Sequence, residues 1–198
     1  MKVKNFILAA SVCVWMIVIG VGFVWITDYS SRPSLPANIS PHLPEGVFPE
    51  AVSDRPKILL FVHPKCVCSR ATMSELARMV SDTEGLSEIK IFFYKPAGQS
   101  EEWVKTDLWE KARRIPGVSI GTMNEDQINK FGVVTSGQVI LYDGGGDLVF
   151  SGGITLGRGH EGKSKGREAI ETFLRGGRPE IREMAVFGCS LTSTANTF

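Results

Sequence analysis

The chain has 198 residues, and its 22 Lys and Arg nearly match its 21 Asp and Glu, for a net charge of +1. At 43% hydrophobic and 22% charged, its composition is that of a folded protein and excludes a disordered, collagen-like or multi-span chain. The balanced charge leaves no footprint for nucleic acid, and four scattered cysteines are too few for a disulfide-framework miniprotein.

Residues 6–26 carry no charged side chain. At ~1.5 Å per residue such a run crosses a ~30 Å hydrocarbon core. Lys2 and Lys4 precede it and Asp28 follows. The positive-inside rule then predicts one transmembrane helix, with residues 1–5 cytoplasmic and everything after the helix outside. In a bacterium that is a single-pass inner-membrane protein with a periplasmic domain. A cleaved signal peptide is the rival reading, but the run stays bulky through Phe23, Val24 and Trp25 where a small-residue cleavage site belongs. Cys13 lies within the run and is read as a membrane cysteine without chemistry. Residues 27–56 hold six of the ten prolines and are expected to form an extended spacer, a stalk under the domain.

The domain is placed at 57–176. Ile58-Leu59-Leu60-Phe61-Val62 is a continuous apolar run, as in a strand buried on both faces. Met73, Leu76, Ala77 and Val80 lie at helical spacing within 69–82. A second strand is expected over 89–94, then a helix from a Ser100 cap through Arg114. Asn124 and Gln127 resemble a capping box for a short helix ending near Phe131. Residues 138–142 and 148–150 read as strands joined by the Asp143-Gly144-Gly145-Gly146-Asp147 turn. A last helix runs from 165 to 175, with Gly176 as its stop. With a short strand between the second and third helices, this is an α/β fold. Its mixed sheet is flanked by helices, and the hairpin is expected to add an antiparallel edge.

Chemistry concentrates in His63-Pro64-Lys65-Cys66-Val67-Cys68-Ser69, between the first strand and the first helix of the domain. A thiol at a helix N-terminus meets unpaired N–H groups that favour the thiolate, the nucleophile of disulfide exchange. Lys65 and Arg70 are expected to add positive charge. Cys66 is the expected attacking residue, with Cys68 beside it. A disulfide across so short a spacing forces the chain to bend, and if it cannot close the two thiols make a soft metal clamp.

These elements and Phe61-Val62-His63-Pro64-Lys65-Cys66-Val67-Cys68, with Lys130-Phe131-Gly132-Val133 before a strand and a Tyr-Asp-Gly hairpin, resemble the thioredoxin superfamily over residues 57–175. His-Pro-x-Cys-x-Cys with a later Phe187-Gly188-Cys189 is similar to the bacterial RedB-like proteins. The resemblance implies a thioredoxin-like fold, a protein thiol or disulfide as partner and no cofactor. It also implies that Thr135, Ser136 and Gly137 line a substrate groove, where the superfamily carries a cis-proline that this chain lacks. In such a fold the loop holding Arg158, His160 and Glu161 approaches Cys66.

Gly157-Arg158-Gly159-His160-Glu161-Gly162-Lys163-Ser164 matches the phosphate-loop pattern letter for letter. Nucleotide is not expected, because the preceding strand closes a hairpin. The extension 177–198 carries Cys189, which is read as a resolving thiol, a metal ligand or an ordinary buried thiol. Its tail, 192–198, is read as short and polar.

The leading expectation is therefore an anchored thiol–disulfide oxidoreductase. Cys66 attacks, Cys68 or Cys189 resolves, and His63, Lys65, Arg70, Arg158 and His160 support them. The alternatives are a copper- or zinc-binding domain using Cys66, Cys68 and His160, and a non-catalytic interaction module.

Overall fold

The structure, a computed structural model, describes residues 2–48 and 54–191; Pro49 of the expected spacer and the tail 192–198 lie outside the described residues. The chain forms two compact units, Met1–Arg32 and Pro33–Phe198. The first is one helix, α1 (Lys2–Ser31). Its segment Val3–Ser31 has a mean hydropathy of 2.6 and is long and apolar enough to cross a membrane. Its large apolar side chains are exposed on every face, as in a helix whose solvent is lipid. The helix runs five residues beyond the apolar stretch. There Thr27 and Ser31 return their hydroxyls to the carbonyls of Phe23 and Thr27, each at 2.8 Å, and so stay compatible with helix.

The second unit is built on a six-stranded mixed sheet of order β3-β2-β1-β4-β5-β6. Strand β1 (Lys57–Val62) lies at its centre, parallel to β2 (Glu88–Tyr94) and antiparallel to β4 (Gln138–Tyr142). Its side chains alternate between two cores, which explains the unbroken apolar run. Ile58, Leu60 and Val62 face Met73, Leu76 and Ile170. Leu59 and Phe61 face Phe92, Phe131 and Tyr142. Helix α2 (Ser69–Asp82) follows β1, and β3 (Val118–Met123) adds in parallel beyond β2. Antiparallel β5 (Leu148–Gly152) follows β4. The hairpin is not the sheet's edge as expected. Short β6 (Glu183–Met184), from the segment read as an extension, pairs in parallel outside β5. Gly152 makes this possible, since a Cβ there would meet the Met184 carbonyl oxygen at 2.3 Å.

Three other expectations change. The helix expected over 100–114 is broken into a 3-10 turn, Glu101–Trp103, and α3 (Asp107–Arg113). Val104 is fully buried, and the extended Thr106 donates its hydroxyl to Pro64 O at 2.8 Å, so tertiary contacts override the local helical pattern. Helix α4 (Glu125–Asn129) ends two residues early, although its Asn124–Gln127 capping box is complete, with both bonds at 3.0 Å. The expected spacer is not detached: residues 34–48 lie along the domain. Ser34 N–H donates to Val186 O and Leu43 N–H to Gly146 O, both at 2.9 Å, and Val47 is buried. Prolines suit this strap because it pairs with the sheet only at the single antiparallel bridge between His42 and Asp147, where Pro41 needs only to accept.

Helix α5 (Lys165–Leu174) packs on α2 through buried charges. Arg167 donates to Glu171 at 2.5 Å, to the fully buried Glu75 at 2.9 Å and to Asp82 at 2.5 Å. The phosphate-loop look-alike is spent on this network. Gly162 N–H donates to Glu75 at 2.9 Å, Lys163 pairs with Glu171 at 3.4 Å, and Ser164 caps α5. Burial alone pushes the Glu75 carboxyl up, but the bonds from Gly162 and Arg167 outweigh it and hold the group below its ordinary value. A group depressed in the folded state stabilises the fold above the unfolded carboxylate value, about 4.3, and loses that contribution as pH falls through the folded one. Arg167→Ala removes the buried partner shared by two buried carboxylates, leaving Glu75 with Gly162 and Arg78 and Glu171 with Lys163 and Arg175, and is expected to cost about 3 kcal/mol in denaturant unfolding at neutral pH. The same variant should lose less stability than the parent between neutral pH and pH values below about 4.

Candidate active site

The turn out of β1 winds directly into α2. Cys66 N–H bonds to His63 O at 3.0 Å, Ser69 N–H to Cys66 O at 3.2 Å, and Ala71 N–H to Cys68 O at 3.3 Å. Cys68 occupies the N-cap position with helical dihedrals and no side-chain cap, and the N–H groups of Ser69, Arg70 and Ala71 turn back to the carbonyls of Cys66, Val67 and Cys68. Their positions on this turn expose the two thiols differently: Cys66 is only 3% exposed, and Cys68 is half-buried.

The third thiol comes from the far end of the chain. The segment 188–191 pairs with the loop before β4: Ser136 N–H donates to Cys189 O and Leu191 N–H to Val134 O, both at 2.9 Å, with an antiparallel bridge between Thr135 and Ser190. Gly188 is required by contact, since a Cβ there would lie 1.8 Å from Ser136 O. The Ser34 hydroxyl donates to Gly188 O at 2.8 Å and accepts Gly188 N–H at 3.1 Å, and the Arg158 guanidinium also donates to Gly188 O. Clamped in this way, Cys189 Sγ joins those of Cys66 and Cys68, all within 4.8 Å of one another, while the Cys189 residue stays exposed.

The surroundings favour one anion, at Cys66. The Cys189 thiol donates to it, and so do the Ser69 hydroxyl and the N–H groups of Cys189 and Ser69; together these overcome burial and hold the Cys66 thiol below its ordinary value. Behind Ser69 stands a chain of donors. His63 N–H donates to Ser136 Oγ at 2.8 Å, and Ser136 Oγ lies 2.7 Å from Ser69 Oγ. With Ser69's proton on the sulfur, Ser136's proton goes to Ser69. Cys189 is pushed up because its proton is held by Cys66, and Cys68 is pushed up by burial and then by the neighbouring anion.

The other expected residues divide. Arg158 is brought to the site, where its charge acts on Cys68 and Cys189. His63 packs at 5.9 Å from Tyr94 and 5.6 Å from Trp103, ring centre to ring centre. Its Nδ1 accepts Lys65 N–H at 3.2 Å, which puts the neutral ring's proton on Nε2, and burial lowers its pKa. Lys65 lies over the Trp103 ring at 4.7 Å, and Arg70 pairs with Asp107 at 2.8 Å, so both expected charges have partners of their own. His160 is exposed, with Nδ1 2.9 Å from Arg158 O, and lies outside the thiol cluster; the metal set expected from Cys66, Cys68 and His160 is corrected to one with Cys189 in the third place. Thr135 and Ser136 are buried, and Gly137 donates its N–H to Phe61 O at 2.8 Å. The loop expected to line a substrate groove is covered by the chain's own segment 188–191. Sequence reasoning missed Ser34 and Ser69, and gave Ser136 a place in a substrate groove where the structure has it tie His63, Ser69 and Cys189 together. Only Ser69, next to the cysteines, carried a local signal.

No protein-family model matches the chain, and no curated protein matches it. Solved structures do. A hypothetical protein of Sinorhizobium meliloti 1021 superposes with a TM-score of 0.57 at 16% identity, over 83% of this chain and 99% of that one. An uncharacterized conserved protein of Geobacillus kaustophilus gives 0.57 at 18% identity, over 82% and 91%. The thioredoxin domain of a thiol-disulfide oxidoreductase from Bacteroides vulgatus overlaps at 0.48 and 16% identity, over 73% and 97%. Likeness at these identities is likeness of fold alone, an α/β fold built on a mixed sheet.

Gly188→Ala must move either Ser136 or the 188–191 segment. With Cys189 displaced, oxidation of the reduced protein should join Cys66 to Cys189 at least about tenfold more slowly, measured by timed thiol trapping and peptide mapping. Far-UV circular dichroism should be unchanged, since no helix or strand contains the position.

Proposed function

We propose that this chain is a membrane-anchored thiol–disulfide oxidoreductase, exported and held at the inner membrane by α1, whose working pair is Cys66 and Cys189. The observation that carries the reading is the position of the exposed Cys189, whose Sγ lies within 4.8 Å of the Sγ of the buried Cys66 in the turn that leads into α2. The motifs around Cys66 and Cys189 resemble the RedB-like group, and the basic flank before the apolar helix supports the outward orientation of the domain.

In this reading the oxidised protein holds a Cys66–Cys189 disulfide. A thiolate of a dithiol partner attacks Cys189 Sγ, the exposed sulfur. The Cys66–Cys189 bond breaks, and its electron pair leaves on Cys66, where the donors of Ser69 receive the charge. The partner's second thiolate then attacks the mixed disulfide and expels Cys189, which takes up a proton. Two electrons have passed to the protein and the partner leaves as a disulfide; the reverse sequence oxidises a partner. The better-stabilised thiolate is the better leaving group, so attack at Cys189 is favoured over attack at Cys66 by chemistry as well as by access. This departs from the expectation that Cys66 meets the partner first.

The test is thiol trapping with peptide mapping of the full chain in detergent, carrying Cys13→Ser, across a glutathione redox series. The expected result is one reversible disulfide, Cys66–Cys189, abolished by Cys66→Ser or Cys189→Ser. A reversible Cys66–Cys68 bond with Cys189 free would overturn the pairing, and no reversible disulfide would overturn the function.

A further inference from the structure

We propose that in the reduced protein Cys66, Cys68 and Cys189 together form a three-thiolate site for one monovalent copper ion, and that closing the Cys66–Cys189 disulfide ejects it. The site does not depend on the redox function; only the ejection step rests on that reading.

Geometry comes first. Three sulfurs around one ion at bonds of about 2.3 Å stand about 4.0 Å apart if trigonal. The three Sγ atoms already lie within 4.8 Å of one another, so contraction by less than about 1 Å completes the set. Side-chain rotation is enough for this.

The donor set then selects the ion. It is all sulfur, and among the described residues no imidazole or carboxylate joins the group. Soft thiolates favour monovalent copper and zinc. Zinc here would have to complete its tetrahedron with a water, whereas monovalent copper is satisfied by the three sulfurs alone. Of the histidines expected near the site, His160 is turned to the Arg158 carbonyl, and His63 Nδ1 is taken by Lys65 N–H.

The third argument is preorganisation. A site is tight when its ligands are held before the ion arrives. Cys66 and Cys68 sit in the turn that leads into α2, fixed by the bonds of Cys66 N–H to His63 O and of Ala71 N–H to Cys68 O. Cys189 is held through its neighbour Gly188 by Ser34 and Arg158, and through its own carbonyl by Ser136. Three thiolates and one copper(I) carry a net charge of −2. The Arg158 guanidinium and the N-terminal dipole of α2 both face that charge.

Ejection balances without involving the metal's electrons. A partner disulfide accepts two electrons from the Cys66 and Cys189 thiolates, a Cys66–Cys189 bond forms, and the partner leaves as two thiolates. Copper stays monovalent and keeps one ligand, Cys68, too few to hold it.

The experiment uses the full chain in detergent micelles with Cys13→Ser, reduced and anaerobic. Copper(I) is titrated against a competing chelator, and the loaded protein is examined by X-ray absorption. One copper per chain with three sulfur neighbours is expected. Losing a hydrogen bond that merely supports a ligand costs 10–100-fold in affinity, so losing a ligand should cost roughly 100-fold or more. That loss is expected separately for Cys66→Ser, Cys68→Ser and Cys189→Ser, and for the parent once its Cys66–Cys189 disulfide is closed. Cys189 is exposed, so Cys189→Ser keeps the test valid even if the buried Cys66→Ser variant misfolds. Two sulfur neighbours, or affinity kept within tenfold by any folded single variant, would overturn the site. A reversible Cys66–Cys189 disulfide without copper binding would refute the site and leave the redox reading standing. Three-sulfur copper without any disulfide would refute the ejection step and the redox reading together.

Discussion

The Gly188 peptide decides where the third thiol sits. One serine hydroxyl from the strap grips both its N–H and its carbonyl, one arginine from the loop after β5 reinforces the carbonyl, and the loop before β4 admits it only because it has no Cβ. Remove that arrangement and the domain still has its sheet, its helices and a Cys-x-Cys turn. It no longer has Cys189 against Cys66. A local feature at the start of α2 becomes a site only when three distant segments, 34, 158 and 188, meet on one backbone unit.

The sheet explains why they meet. Buried β1 delivers Cys66 to the edge of the core, and β4, antiparallel beside it, delivers Ser136 to the same edge. Ser136 then ties both ends together: it receives the N–H of His63 at the exit of β1, reaches Ser69 at the entrance of α2, and gives its own N–H to Cys189. Burying these hydroxyls is acceptable because each is bonded. The donor chain ends on the Cys66 sulfur, where a charge would otherwise be costly.

What the sequence made legible was local. The apolar run 58–62, the periodicity of α2, the Asn124–Gln127 capping box and the hairpin turn at Asp143 follow from patterns read within a few residues. The break at Thr106 was not legible, because its cause is a hydroxyl bonded to Pro64, far away in the chain. Prolines 33–44 read as a free spacer because proline marks extended chain whether or not something lies beneath it. The cysteine pair and Arg158 were found, but the third member was misassigned in the metal reading. His160 lay in the expected loop, and Cys189 lay past the end of the recognisable fold. Long-range pairing of a short segment such as 188–191 leaves no periodic trace. Its one sequence sign is a glycine before a cysteine, and glycine has many reasons to be where it is.

The tight Cys-x-Cys spacing takes its sense from this distant third thiol. Two thiols on the same turn, one residue apart, close a disulfide only with backbone bending. Cys189, on the separate segment 188–191, brings a partner sulfur within 4.8 Å of either one without that cost. The arrangement also separates two properties that a single cysteine cannot easily combine. An anion is best stabilised where it is buried among oriented donors, and a sulfur is best attacked where it is exposed. Cys66 has the first and Cys189 the second. Cys68, half-buried beside both, has a local environment that favours its protonated form. In the proposed exchange it is the thiol left over when the other two are joined.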